Sequence, residues 1–290
     1  MKRYLVTKEY DGARLCDFLR SLGYSRTMLT RLKLDGGLTV NGAFRRNIDP
    51  VFENDEVVIV FPDKAAVLTP NGSLAIPVVY EDDDILIYDK PDDILVHPAG
   101  KGFDDALGND FAFRFPGVPF RPLGRLDRHT TGLCLAAKNK LTAVRLGGGA
   151  VEKEYLAIAE GVFEEERGTV DAPLLRVPGS VIQRKVDPAG QPAVTHYRVL
   201  AQYGDHALIA LRLETGRTHQ IRVHMAFLGH PLAGDSLYGG GTGRIRRQAL
   251  HCAAMTCRGA GHDFAVTSSL PADMASLRAA LEREQRAERD

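Results

Sequence analysis

Two runs rich in β-branched and apolar residues, 192–203 and 206–214, are parted only by Gly204-Asp205. A two-residue break carrying Gly between strand-like segments makes a hairpin, and a hairpin imposes antiparallel pairing. The strand signature recurs at Ile85-Leu86-Ile87-Tyr88, at 132–138, at 153–159, and near 249–256 and 263–268. Helical periodicity is scarce beside it. Thr218 can cap a helix running through Leu228 and stopped by Gly229, and a charged helix starts at about Pro271. Many strands with hairpin connections and few helices predict an α+β chain on a mixed, mainly antiparallel sheet with flanking helices, not a doubly wound parallel one. No repeat of fixed period and no low-complexity tract interrupts it.

The N-terminal stretch reads as a separate module. Residues 1–50 hold ten Lys and Arg against five Asp and Glu, whereas residues 51–100 hold two against eleven. Leu15, Phe18, Leu19 and Leu22 recur at helical spacing before Gly23, and Ser25 can cap a second helix carrying Met28, Leu29 and Leu32 among Arg26, Arg31 and Lys33. Residues 38–43, with Asn41-Gly42, read as a strand entering a tight turn, and 57–60 as another strand. The run from Arg14 to Asn41-Gly42 resembles the S-four-type RNA-binding domain, a small helix–helix–hairpin module. The resemblance implies that Arg26, Arg31 and Lys33 of the second helix contact RNA; a merely solvated basic face has the same composition. The expected organisation is an RNA-binding module at 1–61, a Pro- and Gly-containing linker at 62–76, and a catalytic domain at 77–290.

A chain of 290 residues that is 44% hydrophobic and 26% charged buries a core without staples, and bulk disorder is excluded. No apolar run has the ~18 residues of a membrane helix, and no signal peptide opens the chain. Four cysteines make no disulfide framework, so a reducing cytoplasm is expected, with a monomer as the default state.

Two segments concentrate chemistry. Residues 122–133 set Asp127 among Arg125, Arg128 and His129, in a Gly-flanked loop that enters an apolar strand. Cationic neighbours keep a carboxylate ionised, as a nucleophile requires, though a surface loop closed by a local ion pair has the same composition. Residues 213–224 turn on Gly216 and launch a helix whose start carries Arg217, His219 and Arg222. His219 and His224 are five apart, the wrong spacing for a helical zinc pair.

The run Arg125-Leu126-Asp127-Arg128-His129-Thr130-Thr131-Gly132-Leu133 resembles the catalytic motif of RNA pseudouridine synthases of the RluA type. Four further stretches match that family in order: Tyr88-Asp89-Lys90-Pro91 leading to Val96-His97-Pro98, Lys153-Glu154-Tyr155, residues 216–224, and Gly234-Asp235-Ser236-Leu237-Tyr238-Gly239. The resemblance covers about residues 77–275. It implies isomerisation of uridine to pseudouridine in structured RNA, ribosomal above all and transfer RNA as the other candidate, without redox agent, metal or other cofactor. It assigns Asp127 as the catalytic carboxylate, Arg222 as its bidentate partner, and Tyr155 as the ring packed on the uracil. Arg125 would fill the stack that the target base leaves; Arg128, Arg217 and His219 would contact RNA. The chain departs from the family at Asp92-Asp93, where small residues are usual, at Gly124, where His is frequent, and at Thr131, where Ser is usual. These positions bear on which RNA is chosen.

Weaker signals remain. His251, Cys252, Cys257 and His262 have poor spacing for zinc. The Gly239–Gly243 run lacks the ending of a phosphate loop and is expected to be mobile, with Arg244, Arg246 and Arg247 beyond it free to grip RNA. A non-catalytic RNA-binding or ribosome-assembly factor is the alternative function; a hydrolase using Asp127 lacks the usual second carboxylate.

Overall fold

The computed structural model describes residues 2–24, 26–34, 36–60, 68–100, 103–259 and 261–288. The chain divides into two compact units, Met1–Ala66 and Val67–Asp290.

The first unit comprises β1 (Lys2–Leu5), α1 (Leu15–Ser21), α2 (Arg26–Leu34), β2 (Leu38–Val40), β3 (Ala43–Phe44) and β4 (Glu56–Ile59). Its strands pair antiparallel in the order β1-β4-β2-β3. Leu15, Phe18 and Leu19 from α1 and Met28, Leu29 and Leu32 from α2 are buried, as their spacing predicts. Asn41 and Gly42 both take positive φ, the backbone that a two-residue hairpin demands. The expected cap Ser25 lies outside the described residues, as do the side chains of Arg31 and Lys33; Arg26 is exposed.

The second unit follows as β5 (Val78–Glu81), β6 (Ile85–Lys90), α3 (Leu107–Arg114), β7 (Arg121–Pro122), β8 (Thr131–Ala137), α4 (Lys140–Leu146), β9 (Val151–Glu160), β10 (Arg167–Asp171), β11 (Leu174–Arg176), β12 (Arg184–Val186), β13 (Val194–Tyr203), β14 (His206–Leu213), α5 (Gln220–Phe227), β15 (Leu250–Gly259), β16 (His262–Thr267) and α6 (Ala272–Ala287). The main sheet has the order β10-β13-β14-β9-β15-β8-β6-β5, with β16 added to β15 and β7 to β8. Its pairs are antiparallel except β15 with β8, which are parallel at His251–Thr131 and Cys252–Gly132. The sheet is thus mixed and mainly antiparallel, as the hairpin signature predicts. Leu133 and Leu135 on β8, Ala157 on β9 and Ile209 and Leu211 on β14 lie in its central core. Among the described residues, no helix is long and apolar enough to cross a membrane.

Three expectations change. Residues 62–67 of the expected linker lie outside the described residues, but its remainder is built into the second unit. Asn71 donates its backbone N–H to Asn109, and Ile76 is 1% exposed. Thr218 is not the cap of α5: His219 occupies that place in a left-handed conformation (φ 57°). The buried Gln220 side chain instead receives N–H and O–H bonds from Arg217 and Thr215. The Gly239–Gly243 run is not loose at its start. Gly240 donates to the Asp235 carbonyl, and Gly241 accepts from Gly234 and donates to the Glu160 carboxylate. Arg247 is buried against Asp273, Arg244 is exposed and pairs with Glu284, and Arg246 is exposed.

Candidate active site

Asp127 stands in the turn that delivers the chain from β7 into β8. Leu126 is buried beside it, and the Thr130 N–H bonds the Asp127 carbonyl at 3.1 Å, so the turn is anchored on both sides of the carboxylate. Lys90, at the end of β6 and 1% exposed, spends its ammonium on three carbonyls: Pro91 at 3.0 Å, Ile94 at 2.7 Å and Arg128 at 2.8 Å. Burial pushes its pKa down to about 8. The turn is thereby tied from below to the Lys90-Pro91 segment.

The two acids that depart from the family pattern have partners in this same turn. Asp93 accepts from Arg128 at 3.2 Å, and Asp92 lies 3.0 Å from Nδ1 of His129. Both pairs are solvent-exposed, so they bias the turn more than they hold it. Arg125 is exposed, as an RNA-facing residue must be; Arg128 is committed to Asp93.

The Asp127 side chain, 27% exposed, meets the Nη1 of Arg222 at 3.2 Å, across 95 residues of sequence. Arg222 projects from the first turn of α5 with its side chain 8% exposed. Its bidentate partner is a different acid. Nε and Nη2 of Arg222 both bond Asp235, each at 2.7 Å, and the Asp235 side chain is 1% exposed. The expected bidentate clamp on Asp127 is therefore a single N–H contact, because the second acid occupies the rest of the fork. Burial works against the arginine's charge but the two carboxylates outweigh it, and its pKa rises.

His219 also reaches this centre, with Nε2 3.8 Å from the Asp127 carboxylate and Nδ1 2.8 Å from the Tyr238 hydroxyl. Its side chain is 11% exposed, so it faces the acid and not the solvent expected of an RNA contact. Burial holds its pKa below the usual histidine value. Tyr155, on β9 opposite Cys252 of β15, is 7% exposed. Burial raises its phenol well above the ordinary value, so it is neutral. Arg217 is exposed and donates to the Pro192 carbonyl at 3.1 Å. His251 is spent on Thr131 and the Ser268 carbonyl, and Cys252 neighbours Tyr155. Among the described residues no group of three or more potential ligands is placed to hold a metal. A cavity of about 720 Å³ lined by Asp92, His129, Arg246 and Leu277 lies beside the turn; Asp127 does not line it.

Asp235, Tyr238, Lys90 and Gln220 have no role in the sequence reading. The Gly234–Gly239 motif contains the first two, but only the fold places them behind Arg222 and His219.

Asp127 thus meets, through one N–H, an arginine from a helix 95 residues further along the chain. The family model for RNA pseudouridylate synthase matches residues 84–227. The chain is 37% identical over 257 residues to the uncharacterized RNA pseudouridine synthase YjbO of Bacillus subtilis, covering 85% of this chain and 88% of that one. The chain belongs to the RNA pseudouridine synthase family. It is an enzyme of uridine isomerisation. The ribosomal large subunit pseudouridine synthase D of Vibrio vulnificus is 37% identical over 300 residues, covering 94% of this synthase and 92% of its own length. Among solved structures, the human RNA pseudouridylate synthase domain containing 1 superposes with a TM-score of 0.58 at 28% identity, over 74% of this chain and 98% of that one.

Proposed function

We propose that this synthase converts uridine to pseudouridine in structured ribosomal RNA, with Asp127 as the reacting carboxylate. The observation that carries the assignment is the Asp127–Arg222 contact: one N–H at 3.2 Å to a carboxylate that is neither sealed nor spread into solvent. In the reaction the bond from ribose C1′ to uracil N1 breaks, the ring turns, and C5 bonds to C1′. The proton leaving C5 is balanced by one gained at N1, so no oxidant or reductant is needed. A carboxylate serves whether it acts on the sugar or on the base, and the Arg222 N–H orients that of Asp127. Tyr155 gives a flat, neutral surface for the uracil. A paired uridine is extruded to reach such a site, at a cost of a few kcal/mol, and Arg125 is placed to take up the vacated stack.

The ribosomal target rests on the relatives named as large-subunit synthases at 37% identity. The first unit acts as the S-four-type module, adding phosphate contacts through Arg26, Arg31 and Lys33. The enzyme works as a monomer in the cytoplasm, with no cofactor.

The test is to map pseudouridine across total RNA from cells with and without this protein. Loss of one or more ribosomal RNA sites is expected. An unchanged map contradicts the function, and changes confined to transfer RNA overturn the ribosomal assignment.

A further inference from the structure

Both groups that reach Asp127 are held from behind by a single turn. Asp235 takes two N–H groups of Arg222, each at 2.7 Å, and leaves only Nη1 for Asp127. Three residues later the Tyr238 hydroxyl lies 2.8 Å from Nδ1 of His219, whose Nε2 faces Asp127 at 3.8 Å. The Tyr238 ring also stands 5.0 Å from the Arg222 guanidinium, close enough for a cation–π contact.

The turn is built not to move. Tyr238 N–H and Gly240 N–H both bond the Asp235 carbonyl, and Asp235 N–H bonds that of Leu232. A Cβ on Gly240 would fall 2.0 Å from the Leu232 oxygen, so only glycine allows the chain to close there. On the other side, His219 is held in the left-handed region (φ 57°), which non-glycine residues uncommonly adopt.

We infer that the Asp235–Tyr238 turn is the positioning element of the synthase: Asp235 rations Arg222, and Tyr238 fixes the tautomer of His219. A guanidinium clamped bidentately on Asp127 would tie down both carboxylate oxygens and blunt the acid. With Asp235 occupying the fork, Asp127 is oriented by one N–H and keeps lone pairs for the reaction. The Tyr238 oxygen accepts the backbone N–H of Arg184 at 3.0 Å, and among the described residues Nδ1 of His219 is the one acceptor its hydroxyl hydrogen can reach, so the hydroxyl donates there. The ring proton then sits on Nε2, aimed at Asp127. At 3.8 Å it is a dipole beside the carboxylate rather than a full hydrogen bond. Asp235, Tyr238 and His219 are thus positioning residues and need not touch RNA. The inference rests on Asp127 being the reacting acid.

The test combines kinetics with spectroscopy of the full chain. Asp235→Asn and Tyr238→Phe should lower kcat tenfold or more, with KM for RNA within twofold of wild type. Nitrogen NMR of the histidines should show His219 as the Nε2–H tautomer in the wild type and as a mixture in Tyr238→Phe. If Asp235→Asn does not fold, Tyr238→Phe and the tautomer decide. A purely structural role would lower the melting temperature and leave both kcat and tautomer unchanged, which would overturn the inference. So would an Nδ1–H tautomer in the wild type. If Asp127→Asn abolishes turnover while both positioning variants retain it, this inference alone fails; turnover retained by Asp127→Asn removes the reading beneath it.

Discussion

Gly132 lies so close to Cys252 that a Cβ on it would fall 2.3 Å from the Cys252 carbonyl oxygen. The contact is the parallel junction of β8 and β15, and it sits five residues beyond Asp127. Gly132 also has φ of 103°, which an L side chain rarely adopts. Gly132→Ala should therefore combine overpacking with backbone strain and cost roughly 2–5 kcal/mol. The fall in melting temperature checks it, and turnover should fall with it because the turn holding Asp127 is displaced.

Asp92 and Asp93 tie up His129 and Arg128 at the rim of the turn. Asp92→Asn with Asp93→Asn removes two negative charges beside a polyanionic substrate. RNA should bind roughly two- to tenfold more tightly at low salt, with poorer discrimination between target and non-target RNA. Binding titrations on both RNAs at two salt concentrations measure it.

His224 is fully buried, 2.8 Å from Thr195 Oγ1 and 2.9 Å from the Ala172 carbonyl oxygen. Thr195 accepts from Gln220, so its hydroxyl donates to Nδ1 and the ring's Nε2–H donates to Ala172. Burial lowers its pKa, as it does for His219 and His251. The unfolded chain then binds protons below about pH 6.5 that the folded chain refuses. Stability should be fully present above that pH and fall as the solution is acidified through the lower folded values. His224→Gln should flatten this decline in denaturant unfolding series between pH 7 and 5.

Much of this architecture is readable in the residues. The Gly204-Asp205 break and the alternating runs around it place β13 and β14, because a period of two with a tight turn has few other solutions. What escapes the reading has a physical cause. α3 buries Asn109 and Asp110, whose partners are the Thr69 carbonyl and Arg114, so no apolar stripe announces it. Asp127 and Arg222 stand out through motif order, but Asp235 does not: a buried acid looks like any other Asp until the fold sets it against the arginine. Asp92 and Asp93 appear as anomalies in sequence and become intelligible only opposite His129 and Arg128.

The basic second helix of the first unit gives a separate prediction. Replacing Arg26, Arg31 and Lys33 together by alanine should weaken RNA binding about equally for all sequences and flatten the salt dependence of the affinity. Turnover of saturating RNA should be little changed. Affinity measured across a salt series checks it, and an unaltered slope would remove the first unit from RNA contact.

Asp127→Asn tests the account most directly, since it keeps the shape of the side chain and removes its charge. The variant should melt within a few degrees of the wild type and bind RNA with comparable affinity. It should form no detectable pseudouridine in a single-turnover assay on RNA that the wild type modifies. Pseudouridine formed at near wild-type rate would contradict the account.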